Sequence, residues 1–152
     1  ARNGTGMGRT KPAIDERDHE NVLMDGSKEL IVLIPARNEL KTIGKVISEV
    51  MQAVNGQVVV IDDASTDGTA QAARSAGAIV LPLTLQLGAW GALRTGLHYA
   101  HKKGYRVAVT MDADGQHLAS TLHTILEPVR ENGADVAVGS YIERGSAARK
   151  FS

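Results

Sequence analysis

The sequence contains no cysteine, which excludes a disulfide framework and a thiolate metal site. It has no net charge either, because 17 basic side chains balance 17 acidic ones, so no overall field draws the chain to nucleic acid or to an acidic membrane. No apolar run approaches the length of a bilayer span, and the first residues contain no apolar signal-peptide core. We therefore expect a cytoplasmic protein without a nucleic-acid partner.

Aromatic residues are also scarce, with one Trp, one Phe and three Tyr, so the core must be built from Val, Ile, Leu and Ala. The length of 152 residues suits one domain with one sizeable core. Residues 1–28 are polar and lack sustained periodicity, which predicts a flexible N-terminal arm. The regular pattern occupies 29–140, and 141–152 form a polar, basic C-terminal segment.

Short continuous apolar runs alternate with helical patterns over the regular part of the chain. The predicted strands are 30–35, 57–62, 78–83, 105–112 and 134–140, and the predicted helices are 39–54, 67–77, 89–104 and 118–133. Strands that alternate with helices and are apolar throughout indicate an α/β domain with a mainly parallel sheet.

Polar residues cluster where three of the predicted strands end. The clusters are 35–39 after the first strand, 62–67 after the second and 112–116 after the fourth. In open parallel sheets, ligands bind beyond the carboxyl ends of the strands. The sequence therefore predicts a ligand site that is rich in carboxylates at this edge of the sheet.

The last of these clusters reads Asp112-Ala113-Asp114-Gly115-Gln116. If the segment is extended, alternation places the oxygen-bearing side chains of Asp112, Asp114 and Gln116 on one side. Oxygen ligands suit Mg²⁺ and Mn²⁺, and a divalent cation relieves the repulsion between neighbouring carboxylates. We expect one of these two ions at this position, together with a diphosphate. The alternative is an Asx-rich turn that only ends a strand.

Four segments, IPARNE, VVVIDDASTDGT, LGAWGALRTG and VTMDADGQH, follow one another in this chain. In this order and spacing they resemble the inverting family 2 glycosyltransferases of the GT-A fold. The likeness is strongest to the branch with dolichyl-phosphate mannose synthase and the bacterial polyprenyl-phosphate glycosyltransferases. It covers roughly residues 30–140, and it implies a Rossmann-like, three-layer α/β/α domain that binds a nucleotide sugar.

The resemblance also implies roles for the residues that match the family motifs. The first loop would hold the nucleoside, the end of the second strand would read base or ribose, and the DxD segment would lie under the sugar and diphosphate. The matching nucleotide-sugar residues are Pro35, Arg37, Glu39, Ile61, Asp62, Asp63, Asp112, Ala113 and Asp114; the matching metal ligands are Asp112, Asp114 and Gln116, of which Asp112 and Asp114 are the expected catalytic residues.

The implied reaction is metal-dependent transfer of a hexose, with inversion, from a GDP- or UDP-sugar to a polyprenyl phosphate. A lipid-phosphate acceptor would bring the protein to the inner membrane surface as a peripheral protein. The family's Arg after the fifth strand is missing, since this chain reads Gly139-Ser140-Tyr141. The chain also stops where acceptor-side elements usually follow, so that region is expected to be truncated or absent. The sequence leaves homo-oligomer formation open.

Several alternatives stay open at this stage. Asp67 is as well placed to start a helix as to bind a ligand. Trp90 is equally suited to stacking on a base or sugar and to packing against its helix, and Arg94 is a weaker candidate for the diphosphate. At the level of function, the chain could be a non-catalytic or truncated nucleotide-sugar-binding module. A nucleotidyltransferase is less favoured, because the first loop lacks glycines.

Overall fold

A computed structural model describes residues 28–115, 119–131 and 137 of the chain. The strands are β1 (Leu30–Ala36), β2 (Gln57–Asp62), β3 (Ile79–Pro82) and β4 (Val107–Thr110); the helices are α1 (Ile43–Ala53), α2 (Thr69–Ser75), α3 (Gly88–Lys103) and α4 (Leu122–Arg130), with a 3₁₀ turn at Ala119–Thr121. Among these residues, no helix is both long and apolar enough to cross a bilayer. The predicted arm (apart from Lys28), Gln116, the fifth strand (apart from Ala137) and the segment 141–152 lie outside the described residues.

The four strands form one parallel sheet in the order β3-β2-β1-β4. From β1 the chain steps outward to β2 and β3, and it then crosses back over the sheet to place β4 on the free side of β1. The strand order therefore reverses between β1 and β4. Such a switch point is where open α/β sheets place a ligand.

The pleat of the two central strands divides the core into two layers. Val32, Ile34, Val58 and Val60 face the side covered by α1, α2 and α4, while alternate residues such as Ile61 face α3. All of these side chains are fully buried. The sheet is thus covered on both faces, which explains the uninterrupted apolar runs in the sequence and confirms the predicted three-layer parallel architecture.

Helix α3 comes unusually close to the sheet at Gly96. A β-carbon at this position would lie 2.8 Å from Cδ1 of Ile61 and 3.3 Å from Cδ1 of Leu33. Both neighbours are fully buried, so neither has free space to move into. The absence of a side chain at Gly96 therefore sets the distance between α3 and the central strands.

Helices α1, α2 and α4 are shorter than their sequence patterns predicted, whereas α3 has the predicted length. The pattern from 39 to 54 contains a turn before α1 begins at Ile43, and there the backbone N–H groups of Glu39 and Leu40 are bonded to the side chains of Thr69 and Asp67. The strand predicted from 105 to 112 is paired only over Val107–Thr110. The order and type of the elements that lie within the described residues agree with the prediction.

Candidate active site at the carboxyl edge of the sheet

The carboxyl ends of β2, β1 and β4 lie side by side, with β1 in the middle. The sheet pleat places Asp63, which follows β2, on the α3 side, whereas Asp62 lies on the opposite side with Val58 and Val60. After β4, Met111 and Ala113 are buried on the α1 side, and Asp112 between them is exposed. Asp63 and Asp112 therefore share one face of the sheet, and two strand spacings with a two-residue offset in register place their Cα atoms roughly 12 Å apart.

The carboxylate of Asp63 caps the start of α3. Its two oxygens accept hydrogen bonds from the backbone N–H of Leu87, at 2.6 Å, and of Gly88, at 2.9 Å. These N–H groups lie at the N-terminus of α3, where they have no partner within the helix and where the helix dipole favours a negative charge. The side chain is 3% exposed, so Asp63 joins the β3–α3 loop (residues 83–87) to the end of β2.

A cavity of about 170 Å³ opens beside this cap, at the end of β1. It is lined by Pro35, Ala36, Arg37, Asp63, Gln86, Gly88, Ala89 and Ala92. Nη1 of Arg37 donates a hydrogen bond to the backbone oxygen of Asp63 at 2.9 Å, which holds the guanidinium against the cavity wall. The cavity thus has an apolar floor, one cation at its mouth and a carboxylate in its wall.

Of the nucleotide-sugar residues predicted at the ends of β1 and β2, three do not line this cavity. The side chain of Ile61 is fully buried under α3. The side chain of Asp62 turns inward, where Oδ1 accepts a hydrogen bond from the backbone N–H of Ser65 at 3.3 Å. The carboxylate of Glu39 accepts one from the hydroxyl of Thr42 at 2.9 Å. The structure thus brings Pro35, Arg37 and Asp63 together at the cavity and leaves these three outside it.

The first two loops of the edge are joined by a row of hydrogen bonds that we call the loop clamp. Consecutive backbone N–H groups of the β1–α1 loop, from residues 38, 39 and 40, donate to side chains of Ser65, Thr69 and Asp67, respectively, at 2.9–3.1 Å. In the other direction, Oδ1 of Asn38 accepts a hydrogen bond from the backbone N–H of Thr66 at 2.9 Å. Sequence analysis missed this clamp, although hydroxyl and carboxyl side chains at alternate positions 65, 67 and 69 were a signal for it.

Asp67 therefore acts as a structural residue, the first of the two roles considered from the sequence. The hydroxyl of Thr69 lowers the pKa of the Asp67 carboxyl below its usual range, and backbone N–H groups of Leu40 and Thr69 add to this against a smaller opposing effect of burial. The charged form is the one that the clamp stabilises.

Backbone conformation at the edge is unusual in two places. Asn38 and Ala64 have φ angles of 53° and 56°, in the left-handed region that few residues other than glycine adopt. Asn tolerates this region, but Ala has no side chain that can bond locally in compensation. The N–H of Ala64 bonds to the backbone oxygen of Asp62 at 2.9 Å, which holds the turn between Asp62 and Ser65 in place.

The predicted metal segment turns rather than staying extended. Ala113 and Asp114 lie in a turn, and Gly115 follows with a φ angle of 77°, so the strict alternation assumed for residues 112–116 is wrong. Asp112 and Asp114 are nevertheless both exposed, while Ala113 between them is 4% exposed. Two solvent-facing carboxylates fit a hard cation chemically. Within the described residues, no group of three His, Cys, Asp or Glu side chains forms a complete metal site, and Gln116 lies outside them.

The buried carboxylates of this edge do not need a cation. Asp62 and Asp63 are buried and accept hydrogen bonds from backbone N–H groups. They need no metal to offset their charge. A divalent ion would have to serve the segment after β4 alone, because the strand spacing separates it too far from β2 to share one ion.

Trp90 does not pack against its helix, since 84% of its surface is exposed. The packing alternative for this residue is therefore wrong. Leu85 and Leu87 in the β3–α3 loop are also exposed, at 72% and 53%. Arg94, one turn after Trp90, is exposed as well.

Residues 31–151 match the sequence profile of a family described as Glycosyl transferase family 2. An undecaprenyl-phosphate mannosyltransferase of Micrococcus luteus is 37% identical over 117 residues, which cover 73% of this chain and 47% of the relative. A polyprenol monophosphomannose synthase of Mycolicibacterium smegmatis is 31% identical over 132 residues, or 82% of this chain and 49% of the relative. The chain thus spans about half the length of these curated relatives.

A solved structure supports the same grouping. It is glucosyl-3-phosphoglycerate synthase from Mycobacterium tuberculosis in complex with Mn²⁺, UDP-glucose and phosphoglyceric acid. The two share 25% identity and superimpose with a TM-score of 0.57 over 67% of this chain and 39% of the other. The parallel sheet with its helices therefore has the GT-A glycosyltransferase fold that the motifs implied.

Proposed function

This chain belongs to glycosyl transferase family 2, and we propose that it transfers a hexose, with inversion, from a GDP- or UDP-sugar to a polyprenyl phosphate. Family membership confirms the resemblance drawn from the four sequence motifs, and the chain is a glycosyltransferase by that membership. Donor base, sugar, acceptor, stereochemistry and metal dependence are parts of the proposal.

The cavity at the carboxyl edge of the sheet is the observation that carries this proposal. It lies at the carboxyl ends of β1 and β2, it has an apolar floor for a base, and Arg37 stands at its mouth. Asp63 has both oxygens engaged by backbone N–H groups, yet each carboxylate oxygen has a second lone pair that can accept from a base or ribose. We propose that Arg37 and Asp63 orient the nucleoside and that Pro35 forms part of its platform.

The exposed carboxylates of Asp112 and Asp114 are the proposed cation ligands, with Gln116 as the third. A bound Mg²⁺ or Mn²⁺ would neutralise charge on the leaving diphosphate. Two findings support a divalent ion: the side chains of Asp112 and Asp114 are both exposed, and the related synthase was crystallised with Mn²⁺. Two strand spacings separate Asp112 from Asp63, which leaves room for the diphosphate between base and sugar.

The proposed chemistry is a single displacement at the anomeric carbon. An oxygen of the acceptor phosphate forms a bond to this carbon from one face, while the bond to the diphosphate oxygen breaks on the other and the nucleoside diphosphate leaves. A phosphate monoester is ionised at neutral pH because its second pKa is about 6. The acceptor therefore needs little help from a general base.

Thermal unfolding with UDP, GDP, CDP and dTDP, each with and without Mn²⁺, tests the donor site. A ligand at a hundred times its dissociation constant adds roughly 2.7 kcal/mol, which raises the Tm of a domain of this size by about 5–10 °C. We expect a shift for one nucleotide, larger with Mn²⁺, and loss of the Mn²⁺ contribution in Asp114→Ala. Glu127→Ala, which removes an exposed carboxylate on α4, is the matched control and should keep the full shift.

A nucleotide-sugar-binding module without its own turnover is the second candidate, because the cavity beside Arg37 and Asp63 supports donor binding with or without transfer. Such a module would show the nucleotide shift but would transfer no sugar to polyprenyl phosphate. No shift with any nucleotide would contradict both readings. Incorporation of pyrophosphate into a nucleoside triphosphate would instead indicate the less favoured nucleotidyltransferase.

A further inference from the structure

We propose that the β3–α3 loop and the first turns of α3 form a docking surface for an anionic lipid bilayer. The surface, which we call the apolar tip, consists of Leu85, Leu87 and Trp90. The proposal deepens the lipid-acceptor part of the proposed function, on which it rests, by assigning the part of the domain that meets the membrane.

Exposure is the first observation behind the apolar tip. Leu85, Leu87 and Trp90 are 72%, 53% and 84% exposed, and they lie within six residues of one another. Single exposed apolar side chains are ordinary, but a compact group of three large ones on one loop marks an interaction site. Trp and Leu together are typical of protein segments that enter the boundary between headgroups and acyl chains.

Along this segment, the residues that line the donor cavity are interleaved with the residues of the apolar tip. Gln86, Gly88 and Ala89 line the cavity, whereas Leu85, Leu87 and Trp90, interleaved with them, face solvent. One loop therefore forms a wall of the cavity on one side and carries the tip on the other. An acceptor phosphate at a bilayer surface would lie next to the donor, as the proposed transfer requires.

Charge distribution is the second, independent observation. The whole chain has no net charge, but from Gly68 to Met111 it contains five Lys or Arg residues and no Asp or Glu. Within this segment, Arg94 on α3 and Lys102 and Lys103 at its end are exposed. Arg94 lies one turn after Trp90, whereas Lys102 and Lys103 lie at the other end of α3. The carboxylate that is bonded to the loop, that of Asp63, is 3% exposed, so an anionic surface gains attraction from Arg94 at the tip.

The loop is held firmly enough to present these side chains. Asp63 bonds the N–H groups of Leu87 and Gly88, and the N–H of Leu83 bonds to the backbone oxygen of Asp62 at 2.9 Å. Both ends of the loop are therefore fixed to β2. A tip that is ordered before binding loses less conformational entropy when it enters a bilayer.

Vesicle binding of the purified chain tests the proposal, and Trp90 supplies the signal because it is the only Trp in the sequence. The probes are vesicles of phosphatidylcholine alone and of phosphatidylcholine with phosphatidylglycerol, with neither nucleotide nor polyprenyl phosphate present. We expect cosedimentation and a blue shift of Trp90 emission with the anionic vesicles, both weakened by added salt. Leu85→Gln combined with Leu87→Gln should reduce the partition coefficient at least about tenfold.

Met51→Gln is the matched control, since Met51 is a 40% exposed apolar side chain on α1, across the sheet from α3. It should leave vesicle binding unchanged. The proposal is overturned if the wild-type chain does not bind anionic vesicles, or if the double variant and the control bind equally. It is also overturned if the tip instead joins two copies, which sedimentation equilibrium without lipid would show as a dimer that the double variant dissociates.

The vesicle test and the nucleotide test fail separately. Loss of vesicle binding with an intact nucleotide shift would refute the docking surface and leave the glycosyltransferase proposal standing. Vesicle binding without any nucleotide shift would support the docking surface and contradict the donor site.

Discussion

The two pairs of aspartates at the carboxyl edge are alike in sequence and opposite in structure. Asp62 and Asp63 after β2 are buried, with carboxylates that accept backbone N–H groups. Asp112 and Asp114 after β4 are exposed. Asp63 forms part of the cavity wall, Asp62 holds the turn that follows β2, and Asp112 and Asp114 are the proposed cation ligands. Carboxylates at one edge of a sheet thus differ in burial according to what the neighbouring loops offer them.

Asp63→Ala should have the largest effect on stability. The change removes a buried charged acceptor and leaves the N–H groups of Leu87 and Gly88 without their partner, so we expect a loss of about 2–4 kcal/mol. Chemical denaturation would measure it. If Asp63→Ala is as stable as the wild type, Asp63 is not a structural residue, and the contrast between the two pairs fails.

Gly96→Val should have the next largest effect, because it pushes α3 away from the sheet and thereby moves the N–H groups that Asp63 binds. We expect a loss of about 1–3 kcal/mol from overpacking against Ile61 and Leu33. Gly44→Val on α1 is the control, since a β-carbon at Gly44 meets nothing within 4 Å. Equal losses at the two glycines would show that helix propensity, and not close packing of α3, is responsible.

Asp67→Asn tests a third carboxylate of this edge that has a structural role, through the pH dependence of stability. Because folding lowers the pKa of Asp67 from 3.8, its charge stabilises the native state above that value, and this contribution is lost as pH falls through the lower native pKa. The wild type should therefore be more stable than Asp67→Asn at neutral pH, with a gap that closes in acid. Urea denaturation at several pH values would show it. A gap that is constant with pH would mean that the charge of Asp67 is not what the clamp uses.

Asp114→Ala should have the smallest effect on folding and a selective effect on binding. Substitutions at exposed positions usually change stability by less than about 0.5 kcal/mol, and Asp114 is exposed. We therefore expect a nearly unchanged Tm without ligand and a lost Mn²⁺-dependent shift with nucleotide. A large loss of stability without ligand would place Asp114 with Asp63 among the structural carboxylates.

Most of the architecture could be predicted from the sequence, because burial on both faces leaves a direct trace in it. Continuous Val and Ile runs indicated buried parallel strands, and amphipathic spacing indicated helices such as α1. Element ends were predicted less well. The turn before α1 is held by bonds from Glu39 and Leu40 to residues about 30 positions away, and no local pattern encodes such bonds.

The sequence by itself determined the family, the parallel α/β order and the concentration of carboxylates at one edge, since these follow from local hydrophobicity and from motifs. Only the tertiary structure decided which of these carboxylates is buried and accepts backbone hydrogen bonds and which is exposed. Asp63 became a helix cap because α3 crosses to its side of the sheet, while Asp62, one residue earlier, points to the other side. Likewise, the sequence left the exposure of Trp90 open, because exposure depends on which distant segments pack near the side chain. Such roles arise from contacts between distant segments, which local sequence does not specify.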